Sequence, residues 1–194
     1  MTKEIDFYFD FISPYSYLAY QKIKANKKTK GIIFNYKPIL VGGLHNLQGI
    51  TAPAFIKPKL KHMISDCGLI AKKNKSDFVW NSKFPINSLN IMRGYLFVNK
   101  EIKDLYLNLM FNAYWKDNLD VSNEEILESL LKELKINSNE FFKGIKDPNI
   151  KDTLKKITEE AYNKNVFGTP TFIINNKIFW GQDRLEFALD EYNK

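Results

Sequence analysis

Thr171-Phe172-Ile173-Ile174-Asn175-Asn176-Lys177-Ile178-Phe179-Trp180 is the stretch on which the fold turns. Two runs rich in β-branched and aromatic residues flank Asn175-Asn176, and asparagine tolerates the positive φ of a two-residue hairpin turn, so the segment reads as two antiparallel strands. Asp183 then stands three residues before Glu186, ahead of Leu185, Phe187, Ala188 and Leu189, which marks it as the N-cap of a closing helix. The chain ends β-β-α. At the other end Ile5, Phe7 and Phe9 alternate with Asp6 and Tyr8 at the period of a strand. Ser13-Pro14 starts a helix, because serine is a favoured N-cap and proline's missing N–H is harmless in the first turn. Tyr17, Leu18, Tyr20 and Ile23 continue that helix, and the run from Gly31 to Tyr36 reads as a second strand ending before Pro38. The chain opens β-α-β.

From about Val41 to Val166 the apolar residues recur at helical spacing: Leu105 and Leu109 lead to Phe111 and Trp115, while Ile150, Leu154, Ile157 and Ala161 share one face. Ser122 with Glu125 makes a capping-box pattern before Ile126, Leu127, Leu130 and Leu131. These stripes read as core. The order β-α-β, helices, β-β-α is an α/β thioredoxin-like plan in which residues 1–40 and 165–194 form the domain and 41–164 supply a connecting segment and a helical insertion. That plan brings the start of the first helix beside the loop that precedes the hairpin.

A chain of 194 residues with 44% hydrophobic content can bury a substantial core. Its 29 lysines and arginines against 22 acidic residues give +7, but the lysines are scattered without interleaved aromatic motifs, so nucleic acid is not expected as a partner. An acidic small molecule suits the same excess. The single cysteine, Cys67, excludes catalysis by a dithiol within the chain and reads as a small buried apolar residue. Met1-Thr2-Lys3-Glu4 leads directly into strand pattern, and no stretch is apolar enough to span a bilayer, so a cytoplasmic protein without a membrane segment is expected. His45 and His62 are the only histidines, and His62 with Asp66 and Cys67 lacks zinc-type spacing, so no metal is expected. There is no glycine-rich phosphate loop after the first strand.

The two converging segments read Phe9-Asp10-Phe11-Ile12-Ser13-Pro14-Tyr15-Ser16-Tyr17-Leu18-Ala19 and Val166-Phe167-Gly168-Thr169-Pro170-Thr171-Phe172, followed near the end by Phe179-Trp180-Gly181-Gln182-Asp183-Arg184-Leu185. With Phe84-Pro85-Ile86-Asn87-Ser88 and Arg93 in the middle, they resemble the 2-hydroxychromene-2-carboxylate isomerase family, a DsbA-like group related to the kappa-class glutathione transferases.

Thioredoxin-like oxidoreductases start this helix with Cys-x-x-Cys, whose leading thiolate is stabilised by the helix N-terminus. Here the place reads Ser13-Pro14-Tyr15-Ser16. Serine forms no disulfide, so the resemblance implies a thiol from outside, with glutathione as cofactor and the Ser13 hydroxyl donating to its sulfur. By itself Ser13-Pro14 is only a helix start; Ser16 reads as structural and Tyr15 as lining a pocket. The resemblance further implies that Thr169-Pro170 is a cis-proline loop pairing with the cysteinyl part of glutathione, against the ordinary trans bond of an X-Pro pair. It implies that Asp183 pairs with the γ-glutamyl ammonium, that Arg184 assists its carboxylate, and that Lys59 reaches the glycyl carboxylate or the substrate. After Gly49 relatives frequently carry a ligand-contacting asparagine, whereas this chain has Ile50. The implied activity is glutathione-dependent isomerisation by reversible thiolate addition to a conjugated aryl pyruvate, on a small acidic aromatic substrate, in a homodimer. The alternatives are a kappa-class-like transferase or peroxidase, and a non-catalytic module that binds glutathione or a metabolite.

Overall fold

The computed structural model describes residues 3–194; Met1 and Thr2, read above as part of the lead into the first strand, lie outside them. Four strands form one sheet: β1 (Glu4–Phe9), β2 (Ile33–Pro38), β3 (Thr171–Ile174) and β4 (Lys177–Trp180), in the order β2-β1-β3-β4. β1 and β2 are parallel, joined by α1 (Pro14–Ala25), and β1–β3 and β3–β4 are antiparallel. Phe7 faces Phe172, and Thr171 faces Trp180. The turn residues Asn175 and Asn176 both have positive φ, 50° and 60°, as a two-residue hairpin of this kind requires. The sheet closes on α9 (Leu185–Tyr192), completing the α/β thioredoxin-like order.

Between β2 and β3 lie α2 (Val41–Gln48), α3 (Lys57–Asn74), α4 (Leu89–Phe97), α5 (Lys103–Trp115), α6 (Glu124–Glu133), α7 (Ser138–Gly144) and α8 (Pro148–Asn163). β1 is central, and its two faces serve two cores. Ile5, Phe7 and Phe9 enter the larger one, whereas Tyr8 joins Ile39, Leu44, Ala161 and Val166 beneath α2 and α8. The alternation of β1 therefore sorts residues between two buried faces and not between core and water. Aromatic contacts weld the helical segment to the sheet: Phe111 on α5 packs against Phe9 (ring centroids 5.8 Å) and Phe11 (4.9 Å). Among the described residues no helix is long and apolar enough to cross a membrane.

Four local expectations are corrected. Strand β2 does not stop before Pro38 but ends on it, opposite Phe9; as an edge strand it tolerates a residue with no N–H to donate. The N-cap of α6 is Asn123, whose side chain accepts from the Ile126 N–H, while Ser122 turns its hydroxyl to Asp120, so the Ser122–Glu125 box does not form. Asp183 does not cap α9: Arg184 occupies that position without a side-chain cap, and the Asp183 carboxylate pairs with Arg184 instead. Leu105 is exposed, and α5 buries the face of Tyr106, Leu107, Met110, Phe111 and Tyr114.

Candidate active site

The loop from β1 into α1 is held at both backbone polar groups of Phe11 and at the N–H of Ile12. The Phe11 N–H donates to Met92 Sδ of α4 (3.5 Å), and the Phe11 carbonyl accepts from the Trp115 indole of α5 (2.7 Å). The Ile12 N–H donates to Asp10 Oδ1 (3.1 Å), and the Ser13 N–H donates to the Asp10 carbonyl (3.0 Å). Buried backbone groups must find such partners, and here they come from helices far along the chain. The inserted helices thus build the loop that ends at Ser13.

Ser13 is the N-cap of α1, with extended backbone (φ −81°, ψ 112°) and its Oγ accepting from the Ser16 N–H at 3.1 Å. The same hydroxyl donates its single proton to the Thr169 carbonyl, also at 3.1 Å, across 156 residues of sequence. The Thr169–Pro170 bond is cis, and the Pro170 carbonyl accepts from the Gly181 N–H (3.0 Å). Ser13, Thr169 and Pro170 therefore meet, as the two-loop reading expects. Pro14 has no N–H, and the Tyr15 N–H finds no acceptor among the described residues, so it is the free first-turn donor of a twelve-residue helix. Thr169 Oγ1 and Ser16 Oγ are buried without partners.

Tyr15 does not turn a free phenol to a pocket; it donates to Asp66 of α3 at 2.9 Å. Burial above all, then the neighbouring Cys67 thiol and Asp66 carboxylate, raises that phenol well above its ordinary range. Cys67 is fully buried, and burial pushes its thiol up to about 12, so it is a packing residue and no nucleophile at neutral pH. His62 is exposed on α3. The Tyr15–Asp66 contact at one end, with Gln21 and Ala25 beside Asn74 and Ser76 at the other, makes α1 and α3 parallel neighbours. Lys59 stands seven residues before Asp66, roughly 10 Å along the axis, so the first turns of α3 overhang the start of α1. Lys59 is exposed there and makes no hydrogen bond or ion pair among the described residues.

Gly181 (φ +117°) carries the chain from β4 towards Asp183; a Cβ there would lie 2.7 Å from Asp183 Oδ1. Asp183 Oδ2 meets Arg184 Nη1 at 2.8 Å, and the Arg184 guanidinium also lies over the Phe187 ring. A cleft of about 300 Å³ between α1, the end of α3 and this turn is lined by Gln21, Lys22, Asn74, Gln182 and Asp183. Ser13 and Thr169 do not line it, so Asp183 stands between two regions of the site. Ile50 is exposed just past the left-handed Gly49 that ends α2. Arg93, half-buried on α4, has its Nε shielded and unpartnered.

Asp10 is the residue that motif reading missed. It is 1% exposed, and its carboxylate accepts from the Ile12 and Val41 N–H groups (3.1 and 2.9 Å) and faces the Ser88 hydroxyl. Desolvation pushes it up to about 6 against the opposing pull of those donors. Its sequence signal was a carboxylate lodged between Phe9 and Phe11, where an acid can stay only if the backbone satisfies it.

The sequence pattern of the DSBA-like thioredoxin domain matches residues 4–193. The chain belongs to this family. Within the DSBA-like proteins it is similar to the 2-hydroxychromene-2-carboxylate isomerase of Sphingobium xenophagum, at 28% identity over 99% of this chain and 98% of that one. It is more distantly similar to glutathione S-transferase kappa 1 of Caenorhabditis elegans, at 24% identity over 96% of this chain and 89% of the relative. Among solved structures it matches a 2-hydroxychromene-2-carboxylate isomerase with a TM-score of 0.87 and 25% identity, covering 96% and 92% of the two chains. These relatives support an enzyme of the isomerase or transferase type on a DSBA-like fold.

Proposed function

We propose that this protein is a glutathione-dependent isomerase of the 2-hydroxychromene-2-carboxylate type. The observation that carries the reading is the Ser13 hydroxyl at the N-terminus of α1, 3.1 Å from the Thr169 carbonyl beside a cis proline, with no cysteine in either segment. The names of the relatives support both halves of it, isomerase and glutathione.

The residues fit a peptide thiol. A sulfur placed off the start of α1 meets the free Tyr15 N–H and the positive end of the helix, both of which favour thiolate over thiol. Ser13 has one proton, now given to Thr169, and turning it to sulfur leaves that carbonyl free. A cysteinyl N–H pairing with Thr169 in strand fashion restores the lost bond. Asp183 takes the γ-glutamyl ammonium once Arg184 shifts to the adjacent carboxylate, and Lys59, on the overhang of α3, takes the glycyl carboxylate or the substrate anion. When bound there, glutathione would supply the nucleophilic thiolate for reversible addition to a conjugated aryl pyruvate, the chemistry that such an isomerisation needs. Ser13 and the Tyr15 N–H would lower the cost of the negative charge on the sulfur.

Calorimetric titration with reduced glutathione, with thiolate absorbance followed in the same samples, tests this for wild type, Ser13→Ala and Arg184→Ala. Wild type binds and ionises glutathione; Ser13→Ala loses ionisation before affinity; Arg184→Ala loses affinity first. A wild type that binds no glutathione refutes the reading. The similarity to a kappa-class transferase supports a second outcome on the same site, in which the thiol leaves bonded to its electrophile; recovery of free glutathione after turnover separates isomerase from transferase.

A further inference from the structure

Three helix starts converge at the end of β1: Ser13 caps α1, Val41 opens α2 and Ser88 caps α4. The Asp10 side chain bonds to the first two of these regions and faces the third. One oxygen accepts from the Ile12 N–H, one residue ahead of the α1 cap; the other accepts from the first N–H of α2; and the α4 cap hydroxyl faces the same carboxylate. Val41 and Ile12 have no other acceptor for these N–H groups, and neither α2 nor α4 has a side-chain cap bond of its own at its N-cap residue. The backbone carbonyl of Asp10 in turn accepts from the Ser13 N–H.

A carboxylate is suited to this place because it is acceptor-only, with one oxygen for each of the two converging N–H donors. An amide of the same shape has one oxygen and must turn N–H groups towards N–H groups. The side chain is buried, and among the described residues no cation pairs with it, so the N–H groups of Ile12 and Val41 are its hydrogen-bond partners there. A surface loop has no need of such a residue, since water would satisfy the same N–H groups.

We propose that Asp10 is a positioning residue, which tethers the loop before α1 to the starts of α2 and α4 and so holds the Ser13 hydroxyl in line with Thr169 and with a bound sulfur. This rests on the reading of Ser13 as the thiolate donor for its catalytic consequence, but not for the tethering itself. Asp10 touches no reacting atom in this scheme; it acts through Ser13.

Hydrogen–deuterium exchange on the full chain, resolved to single amides, tests the tethering without any ligand. In Asp10→Asn the amides of Ile12, Ser13 and Ser16 exchange about tenfold faster or more, while those of β3 keep their protection relative to global unfolding. In saturating glutathione the same variant shifts the ionisation midpoint of the bound thiol upward, an effect that loss of stability alone does not produce. Unchanged exchange over residues 12–16 overturns the proposal, as does faster exchange with the thiol midpoint left at its wild-type position. If wild type fails to bind glutathione, the functional reading falls and the exchange arm still decides the tether. Should Asp10→Asn not fold, Val41→Pro, at the first position of α2 where proline is tolerated, withdraws one donor of the same network: faster exchange over residues 12–16 supports the proposal, and a wild-type rate there overturns it.

Discussion

Asp10 makes stability depend on pH in a direction opposite to that of most paired carboxylates. Its folded-state value is raised from 3.8 to about 6 by burial. A raised carboxylate favours the protonated fold, so its contribution is fully present below pH 4 and is lost as the pH climbs through 6. A shift of roughly two units corresponds to about 3 kcal/mol between the two limits, of which about 2 kcal/mol falls between pH 4.5 and pH 7. Burial is complete, so solvent screening does not dilute the figure. The assay is urea denaturation of wild type and Asp10→Asn across that range. Other titrating groups cancel in the difference, which isolates Asp10 whatever the absolute cost of the amide. Relative to the variant, wild type loses about 2 kcal/mol from pH 4.5 to 7, or roughly 4–8 °C in Tm for a chain of this size. A flat difference, or one in which wild type gains with pH, refutes the reasoning. It would mean that two N–H donors and three helix N-termini outweigh desolvation and hold the carboxylate at or below its ordinary value.

Ser13→Ala removes an N-cap bond and leaves the Thr169 carbonyl without its donor, so it lowers stability by about 2 kcal/mol with the fold intact, whereas Ser13→Thr keeps most of it; thermal melts of both variants check this. Gly181→Ala forces a side chain into positive φ and against Asp183 Oδ1, which costs about 1–2 kcal/mol and weakens glutathione binding, measured by melting and by titration. Cys67 reacts with an aromatic disulfide reagent only on unfolding, so a native protein that is labelled at the rate of a free thiol contradicts its placement.

Most of the fold was legible because its signals are local. The Asn175-Asn176 turn, the Ser13-Pro14 helix start and the alternation of Ile5, Phe7 and Phe9 each depend on a few neighbouring residues, and the structure keeps all three. The failures have local rivals. Ser122 and Asn123 are both good caps, and the winner was set by Asp120, which draws the Ser122 hydroxyl away. Asp183 was outbid as a cap by the adjacent guanidinium of Arg184. Pro38 reads as a strand breaker until the sheet order shows β2 to be an edge. At the site, Ser13 and Thr169 were found from motif, but Asp10, Met92 and Trp115 were not. Their roles arise from contacts between residues 31 to 104 positions apart, and no periodicity encodes a hydrogen bond to the backbone of a distant loop.

That division also bears on how the site works. Serine at the start of α1 offers no thiol but a hydroxyl with one proton and two lone pairs. Here one lone pair serves the Ser16 N–H and the proton serves Thr169, so the protein without ligand has spent both. A thiol that offers only sulfur must break the Ser13–Thr169 bond and leave a buried carbonyl bare, at a cost of about 1–3 kcal/mol. A peptide thiol brings an N–H for that carbonyl along with its sulfur. If glutathione binds as proposed, the exchange of one hydrogen bond for two selects a cysteinyl peptide over a simple thiol. In that reading the loop held by Asp10, Met92 and Trp115 serves to keep Ser13 from swinging free, so that its proton moves between these two acceptors and not to water.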